Sequence, residues 1–472
     1  MSTTLEAKRM NSRELALAVL RDVFGPERRG AQAAFDVRAR RSGLDARDLT
    51  FAAELAYGSI KARRLLDWYL APYLAGRDKP LPEVIREILR LGAYQLRCMG
   101  GVDAHAAVYE TVNLAMRHGH RGTAGLVNAI LRRLSAEEPA APDAASFASD
   151  DDYLATTFSL PTWVVAQWRR AFDGELPGIL AGVNAPPQRA LRVNALRARV
   201  DEASAALVAA GAAIAISRIV PEALIVESGP AGDDDAGRWA LQGEAACMPV
   251  DLLAPLPGET VLELCSGRGN KSVQLAARMR DDGALYCVEI DARKVAHLRA
   301  RLETAGATIA AVVEGDARLV DVPPADAVLL DAPCSGLGIL GRHPEARWRK
   351  SVDDPPRLAS LQSELLESAA ARVKPGGRLV YSVCSTDPRE GRDVIEAFLA
   401  ATPAFARAAL PERYAPFARG GDVLVPPGIE GRDGFFIALL ARRGTAPDPA
   451  AIDAEPAVPA HDVGLAVPAL GE

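Results

Sequence analysis

The stretch AVLLDAPCSG, residues 327–336, joins a short apolar run to a turn that carries a thiol. A short apolar run bounded by Pro or Gly is typical of a buried parallel strand. The stretch RLVYSVCST, residues 378–386, repeats this arrangement. In an open α/β sheet, ligands bind at the carboxyl ends of the strands. We therefore expect Cys334 and Cys384 to share one pocket at that edge of a sheet.

Strands and helices alternate around these two stretches from residue 261 onward. The strand-like runs are 261–265, 284–290, 310–313, 327–330 and 378–382. Helical spacing lies between them at 272–279, 292–305 and 358–373. This alternation predicts a doubly wound parallel sheet, and residues 435–440 add a late strand.

The N-terminal part of the chain has a different pattern. Apolar residues at helical spacing, such as Leu15, Val19 and Val23, predict an all-α bundle over residues 10–135. Residues 1–135 carry 22 Lys and Arg against 14 Asp and Glu, a net +8, whereas the remainder carries 33 against 47, a net −14. A basic segment is typical of nucleic-acid binders. Charge alone leaves an ordinary solvated basic surface equally open.

The segment between these parts predicts a small α+β domain. Residues 163–172 and 201–210 have helical patterns, 190–193 and 223–227 are strand-like, and 232–237 read as an exposed loop. Pro, Ala and Asp dominate 137–149, which predicts a linker, and dominate again after residue 443, which predicts disorder. We assign domains to 8–136, 150–243 and 244–443, and a disordered acidic tail to 446–472.

Bulk properties exclude several classes of protein. The sequence contains no run of about 18 uncharged apolar residues, so it predicts no transmembrane helix. The first residues lack the apolar core of a signal peptide. The six cysteines show no paired CxxC spacing, which argues against a metal site or a disulfide framework. We therefore expect a cytoplasmic protein without metal.

Signals for a nucleotide-like ligand follow three successive strands. In LELCSGRGNKS, residues 262–272, a strand ends in a glycine turn before a helix, whose N-terminus favours phosphate or carboxylate. Glu289 at the next strand end is placed for ribose hydroxyls, with Asp291 beside it as a helix cap. Asp316 follows the third strand, where it can meet an adenine edge or serve as a simple turn acid. Together they fit an adenosine-bearing ligand.

The remaining chemistry concerns the thiols. A free thiol is only a few per cent thiolate at neutral pH unless its surroundings favour the anion. Asp331 beside Cys334 would raise a thiol pKa, so we expect it to hydrogen-bond a substrate base instead. The other cysteines are expected to be buried, inert thiols, namely Cys98, Cys247, Cys265 and Cys287.

In combination these motifs resemble a known family. The strand-GxG turn, DAPCSG and YSVCST, in that order, are similar to RNA cytosine-5 methyltransferases, and most of all to the Sun/Fmu (RsmB) family of small-subunit rRNA enzymes. GRHPEARW (341–348) resembles the family's RHPxxxW stretch. SLPTW (159–163) and LRVN (191–194) resemble its middle region. LGAYQL (91–96) and VNAILRR (127–133) resemble its NusB-type RNA-binding domain.

The resemblance implies a Rossmann-like methyltransferase domain and specific residue roles. Cys384 would be the nucleophile that forms an adduct with C6, Cys334 would assist product release, and Asp331 would contact the cytosine. The cofactor would be S-adenosylmethionine, bound by Cys265, Ser266, Gly267, Arg268, Gly269, Asn270, Lys271, Glu289, Asp316 and Asp331. The substrate would be 16S rRNA or a small-subunit assembly intermediate, and the protein a monomer.

The sequence departs from the family in one motif and leaves several alternative functions open. The family commonly has Pro-Gly-Gly-Lys in the first motif, where this chain has Arg268-Gly269-Asn270-Lys271. The same chemistry on transfer RNA is not excluded by any residue. A non-catalytic RNA-binding protein of the antitermination type is opposed by the two cysteines with Asp331. An exocyclic-nitrogen methyltransferase is opposed by DAPC, since those enzymes usually carry (Asp/Asn)-Pro-Pro-(Tyr/Phe).

Overall fold

The N-terminal part is a bundle of helices, as predicted. The computed structural model of the protein describes residues 10–76, 80–137 and 140–444, so the predicted acidic tail at 446–472 lies outside the described residues. The first helix begins at Asn11, whose side chain accepts a hydrogen bond from the Glu14 backbone N–H at 2.9 Å while Glu14 reaches back to the Asn11 N–H. The bundle helices are α1 (Ser12–Phe24), α2 (Ala31–Ser42), α3 (Ala46–Lys61), α4 (Arg63–Leu74), α5 (Glu83–Arg97), α6 (Ala104–His118) and α7 (Arg121–Ala136).

The middle part is a small α+β unit built on an antiparallel sheet. Its elements are α8 (Asp150–Thr157), α9 (Thr162–Phe172), α10 (Leu176–Gly182), β1 (Arg189–Val193), α11 (Val200–Ala209), β2 (Ala213–Ile216), β3 (Ala223–Ser228) and β4 (Trp239–Leu241). The strands lie in the order β2-β3-β1-β4. The edge strands β2 and β4 were not predicted, because they are short and partly exposed and form by pairing with β3 and β1.

The C-terminal part is the predicted doubly wound α/β unit. Its first elements are α12 (Glu244–Leu253), β5 (Thr260–Leu264), α13 (Asn270–Arg278), β6 (Ala284–Glu289), α14 (Ala292–Ala305) and β7 (Ala310–Glu314). They are followed by β8 (Ala325–Asp331), α15 (Asp354–Ala371), β9 (Val373–Val383), α16 (Arg392–Ala401), β10 (Phe405–Arg407), β11 (Ala418–Arg419), β12 (Asp422–Val425) and β13 (Phe435–Arg442).

The order of strands in the large sheet determines where a ligand can bind. Strands β7-β6-β5-β8-β9 are parallel, and β13 then pairs antiparallel with β9 and leads to β12 and β11. The chain winds from β5 toward β7 on one side and resumes at β8 on the other. A crevice therefore opens at the carboxyl ends of β5 and β8, as in other sheets of this class. Both thiols and the glycine turn follow strands at this edge.

Two predicted boundaries were wrong by several residues. Helix α15 begins at Asp354 rather than 358, because prolines are tolerated in the first turn, where their missing N–H groups need no partner. Strand β9 begins at Val373 rather than 378, because Val373 pairs with Ala325 of β8 across a register shift despite the intervening glycines. Among the described residues, no helix is long and apolar enough to cross a membrane.

Candidate active site

The glycine turn after β5, residues 265–269, has an unusual backbone conformation and is called the cradle below. Cys265, Gly267 and Gly269 have φ angles of 62°, 61° and 88°, all in the left-handed region. The positive φ of Gly269 favours glycine there, and a Cβ at this position would lie 2.7 Å from Leu298 Cδ1, which would have to move. Left-handed conformation at a non-glycine residue costs about 1–2 kcal/mol, which marks Cys265 as a position held by its surroundings.

The two residues that depart from the family motif, Arg268 and Asn270, lie on either side of Gly269. Asn270 is the first residue of α13 and its φ is not positive, so the position does not need a glycine. Its Oδ1 atom is buried and has no hydrogen-bond partner among the described residues. Arg268 is exposed in the turn.

The acids predicted to hold ribose and adenine lie at the ends of β6 and β7. Glu289 is buried, and its two carboxylate oxygens accept hydrogen bonds from the backbone N–H groups of Gly267 at 2.8 Å and Asp291 at 3.0 Å. Glu289 therefore links the cradle to the start of α14 through hydrogen bonds. Asp316 accepts hydrogen bonds from Arg318, which lower the pKa of this carboxyl group. The side chain of Asp291 caps α14, as expected.

Lys271 connects the cradle to the thiol region. Its Nζ lies 2.7 Å from Asp331 Oδ2, and the Ser382 hydroxyl donates to Asp331 Oδ1 at 2.7 Å. Burial lowers the pKa of Lys271, but the Asp331 carboxylate beside it outweighs this effect, and the pKa is raised. Lys271 therefore stays protonated, and its ion pair with Asp331 lies between the cradle and the thiols.

The structure brings the two predicted thiols into contact. Cys334 Sγ and Cys384 Sγ lie 3.3 Å apart, and both line a cavity of 570 Å³. The adjacent Cys384 thiol and burial raise the pKa of Cys334 well above its usual value. The raised pKa favours the protonated form of Cys334.

A buried carboxylate missed at the sequence level holds the two thiol loops together. Glu390 is fully buried, and its Oε1 accepts from the Ser335 backbone N–H at 2.8 Å and from Gln362 Nε2 at 3.1 Å. Its Oε2 accepts from the hydroxyl of Ser335 and, at 2.5 Å, from that of Ser385. Ser335 and Ser385 each follow a thiol, and their hydroxyls lie 3.0 Å apart. Glu390 with Ser335 and Ser385 is called the clamp below. In the sequence, the serine after each cysteine is the feature that could have indicated it.

The other cysteines lie apart from the thiol pair. Cys247 and Cys287 are fully buried, as expected for inert thiols, and Cys265 is half-buried in the cradle. The expectation was wrong for Cys98, which is exposed. It lies immediately after α5 ends at Arg97, outside the apolar stripe that the helix buries.

Glu263 of β5 gives a prediction about pH and stability. Burial raises its pKa to about 7, and its Oε1 has no hydrogen-bond partner among the described residues. Because the folded pKa is above the unfolded one, the folded protein binds an extra proton between about pH 4.5 and 7, and stability falls as pH rises through that window. The variant Glu263→Gln should therefore raise the melting temperature at pH 8 and leave it nearly unchanged at pH 4. An equal shift at both pH values would contradict this explanation.

Comparisons with known proteins agree with this architecture. The family model "16S rRNA methyltransferase RsmB/F" matches residues 250–441, the NusB family model matches 10–136, and the RsmF/B-like ferredoxin-like domain model matches 160–231. The ribosomal RNA small subunit methyltransferase B of Thermus thermophilus is 39% identical, over 91% of this chain and 97% of its own. The probable ribosomal RNA small subunit methyltransferase B of Bacillus subtilis is 33% identical, over 83% of this chain and 90% of its own. The solved structure of PH0851 superposes with a TM-score of 0.76 at 27% identity, covering 92% of this chain and 97% of that one.

Proposed function

Because the chain belongs to the RsmB/F family of 16S rRNA methyltransferases, we propose that it methylates C5 of a cytosine in small-subunit rRNA with S-adenosylmethionine. The observation that carries the proposal is the contact between two thiols, 3.3 Å apart, beside the Lys271–Asp331 pair. A carbon such as C5 of cytosine is a weak nucleophile, and covalent catalysis divides such a difficult step into easier ones. Two thiols in one cavity give a nucleophile and a second group for release.

The cradle after β5 fits the cofactor that the family implies. Its positive-φ glycines allow a ligand to approach the backbone closely, and the unpartnered Asn270 Oδ1 offers a buried acceptor. When bound, S-adenosylmethionine supplies an electrophilic methyl group to C5. The residues proposed to hold it are Cys265, Ser266, Gly267, Arg268, Gly269, Asn270, Lys271, Glu289, Asp316 and Asp331.

In the proposed reaction Cys384 is the nucleophile. Its thiolate forms a bond to C6 of the cytosine and loads electron density onto C5. Asp331, positioned by Lys271, accepts a hydrogen bond from the cytosine. After C5 is methylated, a base removes the C5 proton, the electron pair reforms the ring double bond, and the S–C6 bond breaks. Cys334, whose pKa is raised by the neighbouring Cys384 thiol and by burial, assists this release.

The N-terminal helices are proposed to bind the RNA. Residues 1–135 carry a net charge of +8, which favours phosphate contacts that position the strand. The target base must leave its stack to reach the cavity, at a cost of a few kcal/mol that is smallest in single-stranded regions. We propose that the protein acts as a monomer with domains at 8–136, 150–243 and 244–443.

Methylation assays test this function directly. Unmodified small-subunit rRNA transcribed in vitro is incubated with the protein and methyl-labelled S-adenosylmethionine, then digested to nucleosides and analysed by mass spectrometry. The proposal predicts labelled 5-methylcytidine at one position found by bisulfite sequencing. Label only on another nucleoside, or on transfer RNA but not on rRNA, would contradict it.

A further inference from the structure

The N-terminal bundle contributes directly to the cavity that holds the thiols. Arg28, in the loop between α1 and α2, lines the same cavity as Cys334 and Cys384. The facing wall comes from the segment after Cys334 and includes Arg349 and Lys350. The cavity is therefore built by two parts of the chain that are about 300 residues apart in sequence.

Hydrogen bonds fix the bundle to this wall. Trp348 Nε1 donates to the Ile60 carbonyl at 2.6 Å, and the backbone N–H of Ala31 donates to Glu345 Oε1 at 3.1 Å. Arg349 Nη2 donates to the carbonyl of Arg29 at 2.5 Å, and also to a carbonyl near the end of α1. Contacts on both sides of Arg28 thus set the position of its loop relative to the thiols.

Two cationic side chains of the cavity lining, Arg28 and Lys350, form no ion pair within 4.0 Å among the described residues. Arg28 is also exposed. Arg349 donates to backbone carbonyls, and burial lowers its pKa; the nearby Glu345 carboxylate opposes this effect and Arg28 adds to it. Two acids also line this cavity. Asp354 pairs with Arg357 at 3.0 Å, whereas Glu345 accepts from Ala31 through Oε1 and its buried Oε2 has no hydrogen-bond partner among the described residues.

The backbone at Arg28 is also unusual. Its φ of 46° lies in the left-handed region, which costs a non-glycine residue about 1–2 kcal/mol. Strain of this kind persists where the surroundings hold it and is concentrated at ligand-binding sites. Neither burial nor an ion pair explains why an arginine stands at this position.

We propose that Arg28 and Lys350 bind a phosphodiester of the RNA strand at the mouth of the thiol cavity, so that the N-terminal bundle positions the target nucleotide itself. This inference rests on the proposed function, because it needs an RNA strand whose base enters the cavity. A phosphate contact there aligns the strand without reading its sequence. The bundle then acts inside the active site as well as on distant RNA.

Two adjacent arginines provide a matched pair for the test. Arg28→Ala removes the cation that lines the cavity, whereas Arg29→Ala removes one from the same loop that pairs with Glu27 at 2.6 Å. Methylation of small-subunit rRNA transcribed in vitro and direct RNA binding are measured at several salt concentrations. We expect Arg28→Ala to raise KM and the RNA Kd about tenfold with kcat nearly unchanged. The slope of log affinity against log salt should fall by about 0.7.

Controls separate this inference from the proposed function. Arg28→Lys keeps the charge, so its KM and RNA Kd should stay within about threefold of the wild-type values. This variant also shows whether the fold tolerates a substitution at position 28. Equal effects of Arg28→Ala and Arg29→Ala, or a loss confined to kcat, would overturn the phosphate site. If the wild-type protein makes no 5-methylcytidine but Arg28→Ala alone weakens RNA binding, the proposed function fails and the phosphate site stands.

Discussion

Replacing Cys384 with serine is expected to lower the rate of RNA methylation by about 10⁴-fold or more, because a serine hydroxyl is a far weaker nucleophile than a thiolate at neutral pH. The side chain lines the cavity with its sulfur 3.3 Å from Cys334, so serine fits without disturbing the fold. Single-turnover transfer of labelled methyl groups to rRNA measures the effect. S-adenosylmethionine affinity should stay close to that of the wild type.

The other cysteines are the controls for this prediction. Cys334→Ser should form the RNA adduct but release it slowly, so that a protein–RNA complex resistant to denaturant accumulates. Cys98→Ser changes an exposed thiol outside the cavity and should behave like the wild type. A Cys384→Ser protein that retains substantial methyl transfer, or a Cys334→Ser protein that loses the first step, would reverse the two roles.

The second large effect is expected at Glu390. Glu390→Ala removes the carboxylate acceptor of two serine hydroxyls and a backbone N–H in a fully buried site, and leaves the Gln362 amide only its bond to the Pro333 carbonyl. We expect a loss of about 4 kcal/mol in stability. The melting temperature should fall by about 10 °C in calorimetry.

Activity and an exposed control distinguish the clamp from ordinary core packing. Because Glu390 holds both thiol loops, kcat at a temperature where the variant is folded should fall while the KM for RNA changes little. Glu396→Ala removes an exposed carboxylate of α16 that pairs with Arg407, and should change stability by less than about 1 kcal/mol. An unchanged kcat in folded Glu390→Ala protein would contradict the positioning role.

The sequence predicted the elements with strong local patterns. Helix α14 occupies Ala292–Ala305, the predicted range, because an aspartate cap and Gly306 mark its two ends. The thiols meet because the adjacent parallel strands β8 and β9 deliver their C-terminal loops to one edge of the sheet. The short edge strands β2 and β4 escaped prediction, because pairing with neighbours rather than local pattern forms them.

The parts of the site that were missed depend on distant contacts. Glu390 reaches Ser335 across 55 residues of sequence, and Arg28 reaches the cavity from another part of the chain. Lys271 was expected to face the cofactor, but its ion pair with Asp331 across the sheet edge was not foreseen. Local periodicity and residue spacing do not predict contacts between residues that are distant in sequence, because these side chains come together only in the folded protein.

The most direct test of the central claim is to identify the sulfur that bonds to cytosine. RNA containing 5-fluorocytidine keeps a fluorine at C5 that the base cannot remove as a proton, so the covalent adduct should persist. Digestion and mass spectrometry of the trapped complex then locate the modified peptide. The proposed mechanism predicts an RNA-linked peptide that contains Cys384, still present in Cys334→Ser and absent in Cys384→Ser. A link to Cys334, or no link from a protein that methylates ordinary rRNA, would contradict it.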